Sequence, residues 1–194
     1  MIKRLAQVQP ISPYDRVIKY FLPLFPRKLR PNHLTFFRLV MTPVLIVILA
    51  AEEYKIGVVF FAILAFTDLL DGALARLRNQ VTDWGKVWDP VADKVLVGSV
   101  VAVLLLQINL NLTILLLAFE LAFILGGTFQ KMRIKDIEIM ANTWGKIKMN
   151  LQCFGSGFLI LGYLLAMPSL LFAAQLLLYL SLVFALTSLF TRGL

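Results

Sequence analysis

The chain has 194 residues, 60% of them hydrophobic and only 15% charged, and its mean hydropathy is +0.84. A chain this apolar is not an ordinary water-soluble domain and belongs in a bilayer. Its net charge of +8 reads as attraction to anionic lipid or anionic substrates, because no nucleic-acid-binding module is visible.

No linker or low-complexity run divides the sequence. The expected organisation is therefore a cytoplasmic N-terminal segment over 1–33 and one six-helix membrane domain over 34–194 that carries any functional site. In the first segment Ser12 and Pro13 look like a helix start, with Ser as cap and Pro at the first helical position. Tyr14, Val17, Ile18 and Phe21 then share one face while Asp15, Arg16 and Lys19 lie elsewhere, which predicts an amphipathic helix in the headgroup layer. The first long apolar run starts near Leu34 with no small-residue cleavage site after it, so no cleavable leader is expected.

Six stretches are long enough to cross a hydrocarbon core that needs about 20 apolar residues per helix. They run over 34–52, 55–77, 89–110, 112–131, 144–166 and 169–190, so the predicted fold is all-α with six transmembrane helices. The second to fourth contain acidic residues, whose side chains must face the bundle or water rather than lipid. Lys and Arg concentrate before the first span, between spans two and three, and between spans four and five. By the positive-inside rule these segments and both termini are cytoplasmic. Trp84, Trp88 and Trp144 fit an aromatic belt near the headgroups, and Cys153 reads as a small hydrophobe.

At the cytoplasmic end of spans two and three stand Asp68, Asp71, Asp89 and Asp93. Residues three or four apart share a helical face, so each span carries a carboxylate pair. The short connection over 77–88 predicts antiparallel neighbours whose pairs meet, with Pro90 in the first turn of the second helix. Gathered carboxylates require protonation or a positive partner. All-oxygen ligands suit hard cations such as Mg²⁺, Mn²⁺ or Ca²⁺, and a pair of ions suits displacement at phosphorus. Taken singly, each aspartate could instead be a solvated helix-end group paired with Arg76, Arg78, Lys86 or Lys94. A divalent-cation transporter would also use carboxylates at a membrane edge, but it predicts acidic residues continuing through the spans, and the external halves have almost none. The small residues Gly72 and Ala75 would let a nucleoside approach a helix, although packing alone could require them.

The pattern Asp68-x2-Asp71-Gly72-x2-Ala75-Arg76-x8-Gly85-x3-Asp89-x3-Asp93 resembles the complete signature of the CDP-alcohol phosphatidyltransferases. PNHLTFFR at 31–38 resembles the start of that family's first membrane helix, and WGKIK at 144–148 a segment of its glycerophosphate-using branch. The resemblance implies that Asp68, Asp71 and Asp89 bind the metals, two ions of Mg²⁺ or Mn²⁺, that hold the diphosphate of CDP-diacylglycerol. It implies that Asp93 is a further metal ligand and the general base. It also assigns Arg76 to seating the nucleotide, Asn32, Thr35 and Thr82 to contacting it, and Gly85 to a turn or close helix approach. It also suggests a homodimer. The expected host is a bacterial inner membrane, with an organelle membrane as the alternative.

The acceptor is read from Lys131, Arg133, Lys146 and Lys148, a basic cluster near the aspartates that would hold a phosphorylated alcohol. Glycerol 3-phosphate leads, with inositol phosphate as the alternative, while positive-inside bias alone also accounts for these residues. Where glycerophosphate enzymes typically place an arginine before a glutamate in the fourth helix, this sequence has Phe119 before Glu120. Glu120 is expected to face the bundle, and His33 to be an interface residue rather than a base.

Overall fold

The computed structural model describes residues 20, 30–78, 80, 82–133 and 143–191. Apart from Tyr20, which is helical and exposed, the expected interfacial helix lies outside them. The described residues form six α-helices in chain order: α1 (Pro31–Ala50), α2 (Tyr54–Leu77), α3 (Asp83–Leu104), α4 (Leu110–Arg133), α5 (Thr143–Leu164) and α6 (Pro168–Thr191). A 3-10 turn over Leu105–Gln107 follows α3, and no strand occurs among the described residues. Among the described residues three helices are long and apolar enough to cross a membrane: Pro31–Ala50, Tyr54–Leu77 and Pro168–Ser188.

Local chemistry sets the helix boundaries. Pro31 opens α1, where its missing N–H is not needed. The link between α1 and α2 turns through Glu52 in the left-handed region, φ 61°. Thr82 caps α3 by accepting the Gly85 N–H at 3.0 Å, so the helix begins six residues before the expected 89. Pro90 consequently sits two turns inside α3 rather than in its first turn, where it removes one helical hydrogen bond. Asn109 caps α4 through the Leu112 N–H at 3.1 Å, and its amide donates to Gln175 of α6 at 3.1 Å.

Each of the six helices contributes to one apolar core, with Leu45, Leu64, Val100, Leu116, Leu159 and Leu178 at its centre. The outer faces are apolar too: Phe66, Ile114, Leu121, Phe154, Phe172 and Leu176 are all more than half exposed. A bundle that is hydrophobic inside and out is solvated by lipid, and the exterior fits an integral membrane protein.

One packing relationship differs from expectation. α2 and α3 barely touch each other; α1 packs against both and separates them. The short link makes α2 and α3 successive but does not make them neighbours, because α1 carries the polar groups that their aspartates need.

Candidate functional site

On α1, Asn32, Thr35, Arg38 and Thr42 recur every three or four residues, a polar stripe along an otherwise apolar helix. Thr35, Arg38 and Thr42 are fully buried. Arg38 faces the aspartates of both flanking helices. Its Nη1 reaches Asp68 of α2 at 2.9 Å and also pairs with Asp93 of α3, while Nη2 reaches Asp71 of α2 at 2.5 Å. Thr35 completes the set by donating its hydroxyl to Asp89 at 2.6 Å, with Asp71 at 3.4 Å. Arg38 and Thr35 of α1 thus gather the four aspartates, and Asp68 of α2 also meets Asp93 of α3 directly. Asp71 is buried, whereas the Asp68 side chain is 39% exposed and Asp93 19%, so the cluster opens on the Asp68 side.

A second group of oxygens adjoins this one. Thr82 donates to Asn32 Oδ1 at 2.8 Å. A Cβ on the buried Gly85 would stand 3.1 Å from Thr82 Oγ1, 3.2 Å from Asp89 Oδ2 and 3.4 Å from Asn32 Oδ1. Glycine there keeps open a space walled by oxygen. Gly72 has a comparable function on α2, where a Cβ would meet Arg76 Nη1 at 3.2 Å, so the guanidinium lies over the bare backbone.

The electrostatics call for further positive charge. One guanidinium against four carboxylates leaves three formal negative charges, and carboxylates held this close repel one another unless they are neutralised. Among the described residues no three carboxylates converge as a ready-made metal cage; three reach Arg38 and the fourth reaches Thr35. The donor set is nevertheless all oxygen, and a cationic group already occupies its centre, so hard divalent cations fit its chemistry.

Of the basic residues expected to hold the acceptor, the ones whose side chains are described are Lys146 and Lys148. Lys146 is exposed on α5. Lys148 is buried, forms an ion pair with Glu120 of α4, and lies 4.2 Å from the Phe123 ring centroid. Gln152 donates to the same Glu120 Oε1 at 2.8 Å, which makes Glu120 part of an internal polar network. The side chains of Lys131 and Arg133 lie outside the described residues. Ala75 and Arg76 are half-buried on α2, and His33 is exposed.

Arg38 is the functional residue that sequence reasoning missed. Its signal was available: a cation inside an apolar span requires a partner, and its spacing continues that of Asn32 and Thr35.

An apolar helical bundle with a carboxylate cluster organised around a buried arginine defines a polytopic membrane protein with a cation-seeking polar site. This chain belongs to the CDP-alcohol phosphatidyltransferase family, which it matches over residues 28–187. Family membership makes it a phosphatidyltransferase enzyme of phospholipid biosynthesis. Among curated relatives, the CDP-diacylglycerol--glycerol-3-phosphate 3-phosphatidyltransferase of Rickettsia typhi is 35% identical over 135 residues, covering 68% of this chain and 76% of the relative. The protein of the same name from Aquifex aeolicus is 36% identical over 103 residues, 51% of this chain and 58% of the relative. A probable cardiolipin synthase (CMP-forming) of Drosophila melanogaster is 35% identical over 101 residues, 51% of this chain and 31% of the relative.

Proposed function

We propose that this enzyme transfers the phosphatidyl group of CDP-diacylglycerol to glycerol 3-phosphate and releases CMP. The observation that carries the reading is the convergence of all four signature aspartates on Arg38 and Thr35, and the names of the bacterial relatives support the acceptor. Asp68, Asp71, Asp89 and Asp93 would hold two ions of Mg²⁺ or Mn²⁺, which supply positive charge to the diphosphate oxygens.

This chain's own groups account for the remaining steps. The oxygen-walled space beside Gly85, with Asn32 and Thr82, suits the hydroxyls of a ribose, and Arg76 over Gly72 suits a phosphate. Asp93 accepts the proton of the acceptor hydroxyl. That oxygen forms a bond to the phosphorus bearing diacylglycerol, the bond from this phosphorus to the CMP oxygen breaks, and CMP leaves with the electron pair. Lys131, Arg133, Lys146 and Lys148 are the candidates for the acceptor phosphate. In this reading Lys148 exchanges its Glu120 partner for that phosphate or shares itself between the two.

The proposed topology has six membrane crossings, an interfacial N-terminal segment over 1–33 and both termini cytoplasmic, supported by the distribution of Lys and Arg. The host is a bacterial inner membrane and the working unit a homodimer. Purified enzyme given CDP-diacylglycerol and Mg²⁺ or Mn²⁺ should release CMP with glycerol 3-phosphate and not with inositol phosphate, inositol or serine. Asp93→Asn should slow that release by about 10²–10⁴-fold. Release with inositol phosphate alone would transfer the acceptor assignment to the alternative, and failure to release CMP with any acceptor would end the enzymatic reading.

A further inference from the structure

Among the described residues α4 and α5 hardly touch through their backbones, and long side chains bridge them instead. Lys148 of α5 reaches Glu120 of α4 and lies 4.2 Å from the centroid of the Phe123 ring, about one turn further along α4. A second ammonium group approaches the same ring from a third helix: Lys94 of α3 stands 5.5 Å from the centroid. Glu120 answers the charge of one lysine, so these three side chains together carry a formal positive charge in excess. Over 119–123 α4 adds no cation of its own, since Phe119 packs against the apolar core and no residue there besides Glu120 is charged.

Lys94 is half-buried well inside α3, where an ammonium group facing lipid is costly. Such lysines commonly extend their stems toward the headgroups, whereas this one lies over Phe123. A cation–π contact is weaker than a charge-assisted hydrogen bond to phosphate, so the ring keeps the lysine in place without competing with an anion. Lys94 also follows Asp93 directly in the chain. Asp93 faces α1 through its pair with Arg38, and Lys94 faces α4, so one turn of α3 presents a carboxylate to one side and a cation to another. A short acceptor can then place its hydroxyl at Asp93 and its phosphate at the lysines.

We propose that Lys94 is a phosphate-binding residue of the acceptor site, held together with Lys148 by the Phe123 ring, and that the phosphate monoester of the acceptor binds between the two ammonium groups. The inference rests on the reading of glycerol 3-phosphate as acceptor. It adds to that reading a cation from α3 and an aromatic platform from α4.

The test is steady-state CMP release by full-length enzyme, with melting in detergent as a readout that needs no turnover. Lys94→Gln should raise KM for glycerol 3-phosphate at least about tenfold, as for a lost charge-assisted contact, with kcat and KM for CDP-diacylglycerol little changed. Glycerol 3-phosphate should raise the melting temperature of wild type and not that of Lys94→Gln. Lys94→Arg, which keeps a cation over the ring, should restore both. Phe123→Leu keeps every charge and loses the ring, so it should raise the same KM about threefold; an unchanged KM in that variant overturns the shared platform even where Lys94→Gln does not fold. An unchanged KM for glycerol 3-phosphate in Lys94→Gln overturns the proposal, and so does a rise in KM for CDP-diacylglycerol in its place. A lysine that only balances the neighbouring aspartates would show itself by altered Mn²⁺ affinity with KM for glycerol 3-phosphate intact, which also overturns it. Failure of the acceptor reading is distinct: it appears in wild type, as CMP release with an unphosphorylated alcohol and none with glycerol 3-phosphate.

Discussion

The guanidinium of Arg38 stands 2.5 Å from the carboxylate of Asp71, with the two side chains 0% and 2% exposed, and this contact ties α1 to α2 in the part of the bundle that also receives Asp93 from α3. Its removal exposes the cost of gathering carboxylates. In Arg38→Met the buried Asp71 loses its counter-charge, and breaking such a pair typically costs about 3–5 kcal/mol. The variant should melt well below wild type in detergent containing a chelator. Added Mn²⁺ should raise its melting temperature more than that of wild type, since the cation binds the folded cluster and replaces the lost charge. CMP release should fall on the order of 100-fold, as when a preorganised charge is lost from a site. Unchanged stability in the chelator would mean that the aspartates do not depend on Arg38.

The space beside Gly85 gives a second prediction. A methyl group there presses on oxygens of Thr82, Asp89 and Asn32 at 3.1–3.4 Å, distances that require all three to yield slightly. Gly85→Ala should fold with a loss of about 1 kcal/mol but bind CDP roughly tenfold more weakly in a calorimetric titration. Thr82→Ala, which removes the cap of α3 and the bond to Asn32, should cost about 1 kcal/mol of stability as well. Normal CDP affinity in Gly85→Ala would place the nucleotide away from this space.

Much of this arrangement is legible in the sequence because it is local. The pairs Asp68/Asp71 and Asp89/Asp93 share helix faces by spacing alone, and apolar length marks the helical stretches. The arrangement of the helices is less legible. Chain order suggests that α2 and α3 adjoin, but burial of Arg38 and Thr35 among carboxylates inserts α1 between them, and no pattern within α2 or α3 encodes that. Pro90 misleads as a helix start because proline is favoured there, whereas the Thr82 side chain supplies the actual cap. Lys148 reads only as one of the basic cluster expected to hold the acceptor phosphate, because its partner Glu120 lies 28 residues away in sequence.

Packing between α5 and α6 provides a third prediction. A Cβ on Gly162 would approach Leu171 Cδ2 to 2.5 Å, Cγ to 2.9 Å and the backbone nitrogen to 3.2 Å. The side chain can turn aside but the backbone cannot, so the helices must separate. Close approach through small residues is a principal source of helix association in membranes. Gly162→Ala should therefore lose about 1–3 kcal/mol, measured by denaturation in mixed micelles. On the same helix, Gly157→Ala meets only Phe61 at 3.7 Å and should be neutral or stabilising, by up to about 1 kcal/mol, because alanine favours the helix. Equal losses in both would attribute the effect to something other than contact with α6.

The ion pair between Lys148 and Glu120 separates a structural from a substrate-binding role. Lys148→Met leaves Glu120 buried without its counter-charge and should destabilise the protein by about 3–5 kcal/mol, whatever Lys148 does in catalysis. Adding Glu120→Gln removes the orphaned charge while keeping a partner for Gln152, so the double variant should recover most of the lost stability. Its kinetics then decide the role of the lysine. If Lys148 contacts the acceptor phosphate, the stable double variant should show a KM for glycerol 3-phosphate raised at least about tenfold, as expected for a lost charge-assisted contact, with little change in KM for CDP-diacylglycerol. If both constants stay at wild-type values, Lys148 serves only to neutralise Glu120, and phosphate recognition falls to the other basic residues at the ends of α4 and α5.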